Sequence, residues 1–191
     1  MISLTSSEFY TAAVIGLRRQ IERLRKRRVP NGRTSHDTDP VFDQSIEGAV
    51  AESIVGELLN LNWPAKIGDD SKGDVGDMVE VRCRNPIRSG NEIGIHTDEL
   101  TNTPYVGVLY HGFFDFEITG WVYGIEGRER GVWNDSRHCF FVPRPYRDIE
   151  SLRAWVAEQR RLRITIAPRD ATDAARIVAQ VGGLLERGLP K

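Results

Sequence analysis

Asp74, Asp77 and Glu80 fall within seven positions of this 191-residue chain, at the start of a segment whose side chains alternate in type. Along Met78-Val79-Glu80-Val81-Arg82-Cys83-Arg84 a strand directs Val79, Val81 and Cys83 to one side and Glu80, Arg82 and Arg84 to the other. The apolar side belongs to a core, so Glu, Arg and Arg are left in a row facing a polar surface or cleft. Just before it, Gly73-Asp74-Val75-Gly76-Asp77 carries two carboxylates on a chain that glycine lets turn sharply. Strand parity makes Asp74 the better same-face partner of Glu80, although a turn at Gly76 could reverse that preference. Upstream, Gly48, Glu52 and Gly56 lie four apart and form one stripe of a helix. Glycine inside a helix costs roughly 0.5 to 1 kcal/mol relative to alanine. Two of them flanking one glutamate predict that the helix backbone approaches a neighbour closely at Glu52. If that neighbour is the strand bearing Glu80, three carboxylates converge. Such a cluster is unfavourable until a cation neutralises it, and hard divalent ions such as Mg²⁺ and Mn²⁺ prefer oxygen ligands. The competing reading is that the acids are ordinary surface groups neutralised by Arg82 and Arg84, which predicts ion pairs and no metal.

The elements that must position these residues can be read from punctuation and periodicity. Thr5 with Glu8 makes a capping box, and few helix breakers follow before Pro30, which predicts a helix over residues 8–28 within a basic N-terminal segment, 1–30. Turn formers crowd the next stretch, and residues 31–44 are expected to be an exposed, flexible connection. A second helix is expected over residues 45–61, where Ile46, Val50, Ile54, Leu58 and Leu61 recur at near-helical spacing before Trp63-Pro64 ends it. Strand character follows at 65–67, 78–84, 93–95, 105–110, 116–125 and 139–142. Two closing helices, 149–160 and 170–184, fall in a C-terminal region, 149–187. This order predicts one α/β (α+β) domain with its core in 45–142, a central mixed sheet flanked by helices.

Composition narrows the functional classes. With 40% hydrophobic residues the chain can bury one real core, and its net charge is only −1, but the charge is unevenly spread. Residues 18–33 hold eight basic residues and one acid; residues 35–80 hold eleven acids and two lysines. A basic face of Arg18, Arg19, Arg23, Arg25, Lys26, Arg27, Arg28 and Arg33, joined by Arg84, suits nucleic-acid phosphates, and it is equally what the solvated face of a long helix looks like. Cys83 and Cys139 form neither a disulfide framework nor a zinc pattern. No apolar run is long enough for a signal peptide or a membrane span, so a cytoplasmic protein without a membrane partner is expected. The four histidines are scattered, although His96 ends a strand-like segment near the acids. Trp121, Tyr123 and Trp133 read as core or sheet-covering aromatics before base-stacking ones.

Gly48-Ala49-Val50-Ala51-Glu52 on a helix, then Asp74-Val75-Gly76, then Glu80-Val81-Arg82 on a strand, resemble in order and spacing the motifs of the PD-(D/E)XK, or restriction-endonuclease-like, superfamily, in particular its compact phage and prokaryotic forms. The likeness spans roughly residues 45–125. It implies a restriction-endonuclease-like core in which Asp74 (or Asp77) and Glu80 bind Mg²⁺ or Mn²⁺, Glu52 supports the metal, and the residue two after Glu80 positions the attacking water. The superfamily has Lys at that place and this chain has Arg82. A guanidinium cannot take a proton from water, yet it can hold a phosphate in a bidentate fork. The expectation is a metal-dependent nuclease acting on DNA; members of the superfamily often work as dimers, which makes a homodimer the assembly to look for. The alternatives are a catalytically inactive module of the same fold that binds nucleic acid or protein, and an interaction protein assembled through its charged faces.

Overall fold

Thr5 opens the first helix through the capping box: its N–H donates to Glu8 Oε2 at 2.7 Å and its Oγ1 accepts from the Glu8 N–H at 3.3 Å. The computed structural model describes residues 4–27, 42–67, 73–99, 101–112 and 115–166. Most of the expected connection, and the helix expected over 170–184, lie outside these residues. Helix α1 spans Ser6–Arg27 and α2 spans Phe42–Leu58. The two cross where α1 carries Gly16: a Cβ there would sit 2.6 Å from Ile46 Cα and collide with the Ser45 carbonyl. Helix α2 starts three residues earlier than its apolar periodicity indicates, and Trp63-Pro64 is not what stops it. Asn60 takes a left-handed φ of 50°, the Asn60 N–H donates to Glu57 O at 3.0 Å and the Leu61 N–H to Gly56 O at 2.8 Å, which is a Schellman end.

The remaining elements are β1 (Glu80–Arg84), α3 (Pro86–Ser89), β2 (Ile93–His96), a 3₁₀ turn (Thr97–Glu99), β3 (Pro104–Gly112), β4 (Asp115–Tyr123), α4 (Glu126–Arg130), β5 (Val132–Asn134), β6 (Cys139–Val142) and α5 (Ile149–Ile166). The fold is mixed α+β, with a correction to the expected single central sheet. Among the described residues there are two three-stranded sheets, β1-β3-β4 and β2-β6-β5. The first is mixed, with β1 parallel to β3 and β3 antiparallel to β4; the second is antiparallel throughout. Ala65, with a φ of 49°, keeps residues 65–67 from forming the strand expected there. Strand β4 ends at Tyr123 instead of 125 because its N–H donates to Glu126 Oε1 while those of Gly124 and Ile125 donate to Thr103 O and Thr101 O.

The mixed sheet lies between a helical layer and the second sheet. On one side Ala12, Val50 and Ile54 pack with Ile46, Trp63, Phe116 and Ile118. On the other, Ile93, Ile95 and Val142 pack with Tyr105 and Val122, and a Cβ on Gly107 would meet Ile93 at 3.0 Å. The chain divides into two compact units, residues 1–149 and 150–191; the elements up to β6 belong to the first, and nearly all of α5 to the second. No helix among the described residues is long and apolar enough to cross a membrane.

Candidate functional site

A turn at Gly76 exists, but it does not reverse the preference for Asp74 over Asp77 beside Glu80. Val75 bridges to Val79, and in the loop between them Gly76 and Asp77 both take positive φ, 60° and 54°, as tight hairpins require. With Val75 opposite Val79, Asp74 is opposite Glu80 across the hairpin. Strand β1 is an edge strand, and its outward Val81 N–H donates to Asp74 Oδ2 at 2.9 Å. Burial, the charge of Asp74, and a hydrogen bond to it push the Glu80 carboxyl up to about 8. Asp77 is carried to the exposed side of the turn, where Lys66 Nζ donates to its Oδ1 at 3.0 Å.

Glu52 is buried and reaches the same corner from the helical layer. Arg19 holds it in a fork, with Nη1 donating to Oε1 at 2.6 Å and Nη2 to Oε2 at 2.7 Å, while Trp63 Nε1 donates to Oε2 at 2.9 Å. Arg19 Nε also donates to the Lys66 carbonyl at 2.8 Å, tying the fork to the segment after α2. Burial raises the Glu52 pKa, the Arg19 hydrogen bonds oppose it, and the charge of Asp74 raises it further. Asp74 is thus within electrostatic reach of both glutamates and links them. The glycine stripe explains half of this approach: a Cβ on Gly56 would stand 3.3 Å from Leu61 O and Trp63 Cβ, whereas one on Gly48 would meet nothing within 4 Å.

Arg82 projects from the polar face of β1 into a cage of acids. Its Nη2 donates to Glu99 Oε1 at 2.5 Å, its Nη1 lies 3.4 Å from Glu80 Oε2 and 4.0 Å from Asp74 Oδ2, and its Nε donates to Gly94 O at 3.3 Å. The Tyr105 ring centroid lies 4.9 Å from its Cζ. Burial works against the charge, but Glu99, Glu80 and Asp74 outweigh it and raise the Arg82 pKa. Glu99 also accepts from the His96 N–H at 2.9 Å. Nothing in the sequence pairs Glu99 with Arg82 or Arg19 with Glu52; these contacts span 17 and 33 positions and arise only from the fold. A second buried acid the sequence did not flag, Glu126, bonds Arg130 and Arg147 away from this corner.

No family model, no curated protein and no solved structure matches this chain. The site therefore stands on its own geometry. Among the described residues no three His, Cys, Asp or Glu side chains are grouped as a ready ligand set for a metal. What is grouped is a pair, Asp74 and Glu80, with Glu52 behind it and Arg82 beside it. Such a pair fits a hard cation of the Mg²⁺ kind, which is commonly held by one or two carboxylates together with waters and substrate phosphates. Cys83 lies half-buried on the opposite face and its thiol is pushed up to about 12, by burial first and then by Glu47 and Glu52, which removes it as a nucleophile. Of the expected basic face, Arg19 is spent on Glu52, Arg25 pairs with Glu22 at 2.6 Å, Arg18 is exposed, and Arg23, Lys26 and Arg27 lie on α1. Arg28 and Arg33 lie outside the described residues.

Proposed function

We propose that this chain is a metal-dependent nuclease that hydrolyses phosphodiester bonds in DNA, on a restriction-endonuclease-like core of the PD-(D/E)XK kind. The observation that carries the reading is the juxtaposition of Asp74 and Glu80 across one tight hairpin, with buried Glu52 in electrostatic reach, in the order the superfamily resemblance requires. Asp74 and Glu80 would hold Mg²⁺ or Mn²⁺; Asp77, drawn off by Lys66, stands outside the pair. When bound, the ion polarises the phosphate and lowers the pKa of the attacking water.

The chain's own residues then have distinct duties. Glu80 holds a proton near neutral pH and must release it to act as an anionic ligand. Glu52, clamped by Arg19 and Trp63, is a positioning residue that keeps negative charge behind Asp74. Arg82 stays protonated and supplies fixed positive charge next to the pair, where a phosphate would otherwise meet only acids. Arg18, Arg25 and the other basic residues of 18–33 would draw the polyanion in.

Plasmid nicking tests this. Wild type is expected to nick with Mg²⁺ or Mn²⁺, to stop in EDTA, and to lose activity in both Asp74→Ala and Glu80→Ala; no cleavage with either ion, or equal cleavage by the variants, contradicts it. A second reading, a catalytically silent module binding nucleic acid or protein, is favoured by one specific observation: Arg82 is already engaged, pairing with Glu99 and lying beside Glu80 and Asp74. Binding to DNA that persists in EDTA, weakens steeply with salt and yields no cleavage would select it.

A further inference from the structure

Arg84, two residues beyond Arg82 on the same face of β1, makes no ion pair among the described residues, and Glu92 acts on it only from beyond salt-bridge distance. Its Cζ lies 4.7 Å from the centroid of the Phe141 ring on β6, and its guanidinium rests over Gly94 of β2, in space that any Cβ at Gly94 would fill. Arg137, from the turn between β5 and β6, brings a second guanidinium to within 5.9 Å of the same ring. Among the described residues no carboxylate lies within salt-bridge distance of either side chain. Burial first, then the like charges of Arg137 and Arg82, lower the Arg84 pKa against a smaller opposing effect of Glu92, the reverse of what happens to Arg82 in its cage of acids. Half-burying the Arg84 charge beside the exposed charge of Arg137 is unfavourable, and an anion between them would relieve it.

From these contacts we infer that Arg84 and Arg137, bracketing Phe141 over the bare backbone of Gly94, form a subsite for a phosphodiester of a nucleic-acid strand. Arg84 lies four residues along β1 from Glu80, about 13 Å at strand rise. That separation places the subsite on the same strand face as the Asp74–Glu80 pair, at a reach of about four nucleotide steps of duplex rise. Phe141 also lines a cavity of about 310 Å³ with Trp133, Val132, Asn134, Pro143 and the carboxylate-bearing Glu92. Trp133 is 39% exposed there, instead of covered as a core aromatic would be. The cavity shares Phe141 with the two guanidiniums, which do not themselves line it, so a nucleoside has room next to its phosphate, and this favours a phosphodiester over free phosphate.

This inference rests on nucleic acid being the partner and is independent of whether it is cut. The test is fluorescence anisotropy of a labelled single-stranded oligonucleotide of about 12 nucleotides on the full chain in EDTA. Variants Arg84→Gln and Arg137→Gln are compared with wild type over a salt series, with Arg128→Gln as an exposed control. Each of the first two is expected to weaken binding several-fold and to lower the slope of log affinity against log salt by about 0.7, with the control unchanged. Arg137 is exposed on a turn, so its variant decides the matter if Arg84→Gln does not fold. Adenosine monophosphate is expected to displace the oligonucleotide at lower concentration than inorganic phosphate. Wild-type binding that both variants retain at full affinity and slope overturns the subsite while leaving the nuclease reading intact. Equal displacement by inorganic phosphate assigns the site to free phosphate and overturns it also. Absence of wild-type binding at every salt removes the nucleic-acid reading and the subsite with it.

Discussion

Because burial and Asp74 push the Glu80 carboxyl up to about 8, the folded chain retains a proton that unfolded chain, with Glu near 4.5, has released at neutral pH. Between those values the folded state binds more protons, so this group's contribution to stability is present below pH 4.5 and is lost as pH rises through 8. Denaturant titrations from pH 5 to 8.5 are expected to show wild type losing on the order of a few kcal/mol relative to Glu80→Gln, which does not titrate. At Glu52 the outcome turns on Arg19. Removing one member of a buried pair leaves an uncompensated charge, so Arg19→Met is expected to lower unfolding free energy by about 3 kcal/mol, read by urea denaturation. Arg82→Lys is also expected to destabilise, by about 1 to 3 kcal/mol. One ammonium cannot serve Gly94 O, Glu99 and Glu80 together, nor present a flat face to Tyr105.

At the scale of elements, two helical glycines give opposite expectations. Gly16→Ala drives a Cβ into the Ser45 carbonyl and Ile46 backbone and is expected to cost about 1 to 3 kcal/mol. Gly48→Ala meets nothing and is expected to stabilise by about 0.5 to 1 kcal/mol, and thermal melts of the two variants should therefore move in opposite directions. The helix start at Thr5, the alternation in β1 and the strand at 139–142 were legible because each follows from neighbours a few positions apart. The end of α2 at Asn60 and the loss of a strand at Ala65 were not, because both depend on left-handed residues other than glycine, whose sequence signal is weak. Gly16 was missed for a related cause: close approach belongs to the pair of helices, and nothing within α1 alone announces it.

For the whole molecule, the division into two small sheets explains why the polar face of β1 is neither solvent-exposed nor a plain cleft. Strand β2 joins β6 instead of β1, so Arg82 and Arg84 meet the second sheet at Gly94, one through its carbonyl and the other over its Cα. The acids of the site were readable as a list, and Asp74 as the partner of Glu80 by parity. The partners Arg19 of Glu52, Lys66 of Asp77 and Glu99 of Arg82 were not, because they come from separate regions that only tertiary packing gathers. The central claim is that Asp74 and Glu80 share one divalent cation, and calorimetric titration of Mn²⁺ at pH 7 in two buffers of different ionisation enthalpy tests it most directly. Binding at one site with release of about one proton, abolished in Asp74→Asn and Glu80→Gln, is the expected result. Absence of binding at millimolar Mn²⁺, or binding unchanged in both variants, would contradict it.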